Sequence, residues 1–234
     1  MYWPLIVIPI ATIILIIILC IVVLTKRENG DHDDGGGKQV GGKQRAEFFQ
    51  PKKDRVGEQG EIYINRVLRL LLRNDEYLLA NLLIPLKNGH TSEIDCVVIS
   101  RKGIFCIETK NWVAHVYGNK DDEFWYQSYD DPYKKDQQRK NPVLQNKAHC
   151  EILERELGYK FIAHNVIIFL SADSVESDSD VVYSVSSFRS YFRNLPEDKL
   201  TEGQVSSIFH VLSKRVATEQ QIDEHKRMMD LRNR

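Results

Sequence analysis

Three side chains near the middle of this chain, Asp95, Glu108 and Lys110, are of the types that handle phosphate esters. They interrupt two otherwise apolar runs, 92–100 (SEIDCVVIS) and 104–112 (IFCIETKNW), joined by Arg101-Lys102-Gly103. Two such runs with so short a link predict neighbouring antiparallel strands, and hairpin register then decides what faces what. With the turn centred on Arg101-Lys102, Asp95 faces Glu108; centred on Lys102-Gly103, it faces Lys110. Directly opposed Cβ atoms lie about 4.5–5.5 Å apart and diagonal ones about 7–8 Å. Glu108 and Lys110, two apart, share a strand face, so either register gathers the three into one patch if Asp95 points the same way. Two carboxylates this close repel unless one is protonated or a cation lies between them. A hard divalent ion, Mg²⁺ or Mn²⁺, held by one or two carboxylates, waters and a phosphate oxygen, resolves the conflict. It would lower the pKa of a bound water and stabilise charge on a phosphate, leaving Lys110 to orient the water or neutralise the pentavalent phosphate. The plainer arrangement is a partly buried Glu–Lys pair beside a solvated Asp. The residues alone leave both open.

The elements that must position this patch follow from apolar spacing. Ile64, Leu68, Leu71 and Leu72 recur at helical intervals within 57–74, with Arg66, Arg69 and Arg73 between them, which predicts an amphipathic helix. Glu61, three before Ile64 and seven before Leu68, falls on its inward face. Residues 77–86 read as a strand ending at Lys87-Asn88-Gly89, a hairpin turn signal. After Trp125 the stretch 129–140 is polar and aromatic and reads as a loop. Asn141-Pro142 opens a helix to about Leu157, because proline fits a first helical turn. Residues 166–170 (VIIFL) have the continuous apolar pattern of a strand covered on both faces. A strand at 181–185, a short helix from Ser187, and a terminal helix capped by Thr201 with Gln204 complete the reading. The fold class is α/β, a mixed sheet flanked by helices.

None of the 32 basic and 33 acidic residues precedes Lys26. Residues 2–25 are therefore an uncharged, strongly apolar stretch, long enough at 1.5 Å per residue to cross a hydrocarbon core of about 30 Å. It lacks the basic start and small-residue cleavage site of a signal peptide. Lys26 and Arg27, reinforced by Lys38, Lys43 and Arg45, orient it with the remainder of the chain on the cytoplasmic side. We expect one transmembrane helix, residues 2–25, in the cell membrane. Residues 26–46, with six glycines between 29 and 45, read as a flexible linker; His32, Asp33 and Asp34 within it read as solvated. The net charge of −1 argues against a broad basic coat for nucleic acid.

Gly57-Glu58-Gln59-Gly60-Glu61, Ser92-Glu93-Ile94-Asp95 and Gly103-Ile104-Phe105-Cys106-Ile107-Glu108-Thr109-Lys110-Asn111 closely resemble the nuclease-related domain (NERD) family, within the PD-(D/E)XK nuclease-like superfamily. Asn141-Pro142 with Gln145 resembles the helix motif that follows the family's core hairpin. The resemblance runs over about residues 48–192, in the family's order, and places a domain at 47–192 with a charged helical extension at 193–234. It implies a restriction-endonuclease-like core. It also implies Asp95 and Glu108 as metal ligands, Lys110 as catalytic lysine, Glu61 as accessory acid, and Gln145 pointing at the site. The substrate it implies is nucleic acid, DNA before RNA.

Other signals have plainer readings. Cys96 and Cys106, on adjacent strands without a CxxC pair, read as free core thiols rather than zinc ligands. His149 shares a helix face with Gln145 and reads as a packed or exposed helix histidine. Trp112, Trp125, Tyr126, Tyr129 and Tyr133, interleaved with Lys134, Lys135, Arg139 and Lys140, suit either a stacking clamp for nucleic acid or packing on a sheet edge. Two functions compete: a membrane-anchored, metal-dependent nuclease hydrolysing phosphodiester bonds, and a non-catalytic membrane-tethered adaptor or nucleic-acid-binding module on the same fold. Orientation is directly testable. A reporter active only in the periplasm, fused after Arg234, should stay silent while a cytoplasmic reporter at the same point works; the opposite pattern would reverse the anchor.

Overall fold

The computed structural model describes residues 53–232. The expected membrane helix and linker lie outside those residues, and among the described residues no helix is long and apolar enough to cross a membrane. The first helix, α1 (Lys53–Leu71), turns Ile64 and Leu68 inward, each 1% exposed, and leaves Leu70 outside. It leads into β1 (Tyr77–Pro85), β2 (Thr91–Ser100) and a long β3 (Gly103–Tyr117). Then come β4 (Phe124–Ser128), β5 (Gln137–Lys140), α2 (Pro142–Glu156), β6 (Ala163–Glu176) and β7 (Val182–Ser184). Three helices follow: α3 (Val185–Asn194), α4 (Glu202–Ser213) and α5 (Glu219–Arg232).

The seven strands form one sheet with the path β1-β2-β3-β4-β5, while β6 runs parallel to β3 on its other edge and carries β7. The sheet is thus mixed and flanked by helices, as the pattern predicts. Its two faces bury separate apolar sets. Ile94, Val97, Ile99, Ile104 and Cys106 pack with Cys150 and Leu153 of α2 and with Val205, Ile208 and Leu212 of α4. Cys96, Val98, Phe105 and Ile107 pack on the opposite face with Ile64 and Leu68 of α1 and with Phe188 and Phe192 of α3. The interior is large enough for burial of this apolar area to dominate folding.

Two details of the sheet matter for the site. The β2–β3 ladder closes Ser100 on Gly103 and runs to Cys96 opposite Ile107, which is the register in which Asp95 faces Glu108. On the same edge of β3, β4 joins only at His115–Tyr117, so residues 108–114 have no ladder partner there. β3 thus carries Glu108 and Lys110 into an opening between two departing strands. Near the end of this stretch Ala114 has a φ of 66°, and the pairing with β6 shifts register on either side of it.

The residues expected to form a loop at 129–140 end instead in β5, which pairs antiparallel with β4. The terminal region holds two helices rather than one. Gly103, with a φ of 138°, lies where a Cβ would come within 3.0 Å of the His164 ring, and that ring stacks on Phe105 at 4.9 Å. Burial, and next the positive charge of Lys199, hold the His164 pKa below the ordinary histidine value of 6.5. A histidine of this kind is neutral in the fold and takes up a proton on unfolding. Its contribution is therefore complete above the unfolded value and fades as pH falls below it. The melting temperature should drop between about pH 7.5 and about pH 5.5, and His164→Gln should flatten part of that drop. Parallel curves for the two proteins would show that this ring titrates alike in both states.

Candidate active site

The helix above the opening is placed by two asparagines. Asn141 caps α2: its side-chain oxygen accepts the Val143 N–H at 2.8 Å, while its amide donates to the carbonyls of Asn119, Lys120 and Asp122. Pro142, in the first turn, needs no N–H there. Asn146 is fully buried, donates to the Cys106 and Val166 carbonyls and to Asn165 Oδ1, and accepts from the Cys106 thiol. These bonds tie α2 to β3 and β6, and an unsatisfied buried amide would cost about 1–3 kcal/mol. Spacing of four then stacks Gln145 and His149 along the helix face above β3.

Glu108 meets both. Its carboxyl is 3% exposed. Oε1 accepts from Lys110 Nζ at 2.5 Å and from Gln145 Nε2 at 2.8 Å, and Lys110 Nζ also donates to Gln145 Oε1 at 3.1 Å. Glu108, Lys110 and Gln145 are therefore one closed ring of hydrogen bonds. Oε2 faces His149 Nδ1 at 3.3 Å, out of hydrogen-bond alignment, and neither atom has another aligned partner. Burial alone would push the Glu108 carboxyl up, but His149 and Lys110 outweigh it and hold the group below the ordinary carboxylate value, hence ionised. Asp95, across the hairpin, accepts the Thr109 backbone N–H at 2.9 Å through Oδ2. That N–H is a ladder donor just past the last paired residue, so the Asp95 side chain substitutes for a strand carbonyl and is fixed beside Glu108.

Four of the five residues singled out in the sequence are thereby located. Asp95, Glu108, Lys110 and Gln145 come together, while the side chain of Glu61 lies outside the described atoms. Gly60, its neighbour in α1, is buried where a Cβ would touch Leu170 and Asn111, so α1 passes beside the strand carrying Lys110. His149, a packed helix histidine, also lies against Glu108. Trp125 does not: it is fully buried, stacked on Phe169, with its indole N–H on the Asn119 carbonyl. Tyr117 and Tyr126 stack on each other nearer the surface, and Tyr133 is exposed. Cys96 and Cys106 point to opposite faces of the sheet. A hydrogen bond with Cys150, and next burial, hold the Cys106 thiol well above its ordinary value, so it is no nucleophile.

Among the described residues no group of three or more His, Cys, Asp or Glu side chains is arranged to hold a metal ion. The donor set nevertheless suits a hard cation of the kind that keeps several waters: two carboxylates on facing strands, one with a buried oxygen lacking an aligned partner. Asp95, Gln145 and His149 line an open cleft of about 430 Å³.

Residues 56–170, just under half of the chain, match the model of the nuclease-related domain family. The match includes Asp95, Glu108, Lys110, Gln145 and His149 and leaves α3, α4 and α5 outside. An uncharacterized protein of Bacillus anthracis is 26% identical over 161 residues, covering 67% of this chain and 74% of its own length. No solved structure matches the chain.

The ring of hydrogen bonds has a stability signature. Lys110→Ala strips a buried carboxylate of its ammonium partner and should cost about 3–5 kcal/mol in urea unfolding, the range for breaking a buried pair. Gln145→Ala removes two hydrogen bonds to charged partners but no charge of its own and should cost about 1–3 kcal/mol. Equal, small losses would mean that Glu108 carries no charge in the fold.

Proposed function

We propose that the nuclease-related domain is a metal-dependent phosphodiesterase acting on nucleic acid, DNA before RNA, and that residues 2–25 anchor it to the membrane with the domain on the cytoplasmic side. The observation that carries the enzymatic reading is Glu108, a carboxylate buried and ionised behind Asp95, Gln145 and His149, which line an open cleft. Structural ion pairs also bury carboxylates, but a buried oxygen without an aligned partner, close to a second carboxylate that lines a cleft, is the feature expected of a ligand site. Mg²⁺ or Mn²⁺ held by Asp95 and Glu108 would supply an activated water and charge stabilisation at the phosphate.

The chain's own residues have separable tasks in this reading. Asp95 is held beside Glu108 by the Thr109 N–H, where its carboxylate would share a cation with Glu108. Gln145 orients Glu108 and Lys110 together, since its amide bonds to both. Lys110 supplies the positive charge that orients the attacking water or stabilises the phosphate as negative charge builds on it. Glu61, in the helix whose neighbouring Gly60 packs on Asn111, is the accessory acid. The restriction-endonuclease-like core proposed here is consistent with the mixed sheet and with β3 carrying both Glu108 and Lys110.

The test is cleavage of linear, circular and single-stranded DNA and of RNA by the purified chain with Mg²⁺ or Mn²⁺, paired with thermal melting. Asp95→Asn retains an oxygen for the Thr109 N–H. It should leave the metal-free protein at least as stable, since it relieves repulsion with Glu108, while abolishing both cleavage and the stabilisation by metal. Lys110→Ala, assayed below its own unfolding transition, should keep the metal-induced shift but lose about 10²–10³ in cleavage rate, as for other lost transition-state contacts. The adaptor reading predicts no cleavage by the unaltered chain. A destabilised Asp95→Asn protein with an unchanged response to metal would eliminate the site.

A further inference from the structure

The cleft in front of Asp95 has a second wall that the family match does not supply. The chain leaving α4 joins the edge of the sheet: Val216 bridges to Leu82, the Leu83 N–H donates to the Arg215 carbonyl at 2.9 Å, and the Ala217 N–H donates to the Asn81 carbonyl at 2.9 Å. Asn81 has a φ of 55°, and β1 and β2 change which side chains face α2 at this point. Thr218 and Gln221 then cap α5 reciprocally. Ile222 is buried at 8% exposure. One turn on, His225, with its side chain 11% exposed, meets Thr91 Oγ1 at 2.8 Å and lies 3.9 Å from Glu93. α5 is thereby docked on the strand that carries Asp95.

The cleft this docking creates is lined by Asp95, Gln145 and His149 on one side and by His225, Lys226 and Met229 on the other. Glu93, Asp95 and Asp230 make it acidic, and among the described residues Lys226 is the only lysine or arginine lining it. A polyanion entering such a cleft meets repulsion unless a fixed cation offsets it. Lys110 is committed to Glu108 with a side chain only 15% exposed. Lys226 is exposed on the facing wall. Met229, 39% exposed beside it, offers a soft apolar surface for a sugar or base.

We infer, resting on the nuclease reading above, that α5 is the substrate-binding wall of this site and that Lys226 holds a backbone phosphate of the nucleic acid opposite Asp95. Phosphate contacts of this type position a strand without reading its sequence. The extension beyond the nuclease-related match is then part of the binding site.

The test uses the full chain in detergent micelles, with fluorescent single-stranded and duplex DNA titrated in Ca²⁺, a hard cation bound by the same kind of oxygen ligands. Lys226→Ala should weaken binding to all sequences alike and lower the salt slope by about 1. Across a tenfold rise in salt the unaltered chain should lose about eightfold more affinity for duplex, and about fivefold more for single strands, than Lys226→Ala, the share of one phosphate contact. Lys226→Arg should restore the slope, and Lys120→Ala, outside the cleft, should leave it unchanged. If the unaltered chain binds and cleaves but Lys226→Ala matches it in affinity and slope, the binding wall is refuted and the nuclease reading stands. An equal loss in Lys120→Ala would make binding diffuse and refute it too. If the unaltered chain binds no nucleic acid, both fall together.

Discussion

A carboxylate that is 3% exposed and still ionised is the constraint around which this molecule is arranged. At an effective dielectric of about 20, unit charges 4 Å apart interact by about 4 kcal/mol, so Glu108 cannot stay charged without partners held firmly in place. Lys110 comes from the same strand face, two residues on. Gln145 and His149 come from α2, and they reach Glu108 only because Asn141 and Asn146 fix that helix against the β3–β4 loop and against β3 and β6. The opening in the sheet is the complementary requirement: β2 stops pairing at Ile107 and β4 begins at His115. Asp95 spans the first step of that gap through the Thr109 N–H. Stability and chemistry thus draw on the same bonds, since the ammonium that neutralises Glu108 in the fold is the charge the proposed reaction would use at the phosphate.

Much of this was legible in the sequence because the signals were local. The two apolar runs and their three-residue link predict the hairpin, and side-chain alternation predicts the shared face of Glu108 and Lys110. The choice of register was not legible. Gly103 suggests a turn centred one residue later than the real one, but its small size answers the His164 ring on β6 and its φ answers the hairpin's exit. Lys102 in the turn is buried, with Nζ donating to the Phe192 carbonyl at 3.0 Å. That contact spans 90 positions, and nothing near Lys102 announces it.

Other elements left no periodic trace. β5 is Gln-Gln-Arg-Lys on an exposed stretch, with no apolar residue to mark a buried face. Asn146 reads as an ordinary helix amide until its three acceptors are seen on two strands. His149 was visible at a spacing of four from Gln145, but only the packing of α2 turns that spacing into a contact with Glu108. α5 is mostly exposed, and its sequence reads as a solvated charged helix. Its place beside the cleft comes from backbone bonds of Arg215 and Ala217 to β1, which depend on no side-chain pattern.

In the proposed reading Lys110 and the α2 side chains keep Glu108 ionised so that, with Asp95, it can exchange part of that compensation for a metal. A crystal of the chain equilibrated with Mn²⁺ and measured for anomalous scattering tests this at the atoms concerned. The prediction is a Mn²⁺ peak between the Asp95 and Glu108 carboxylates, with Lys110 Nζ drawn away from Oε1. A Glu108–Lys110 pair that stays intact, with no Mn²⁺ density at Asp95, would contradict it.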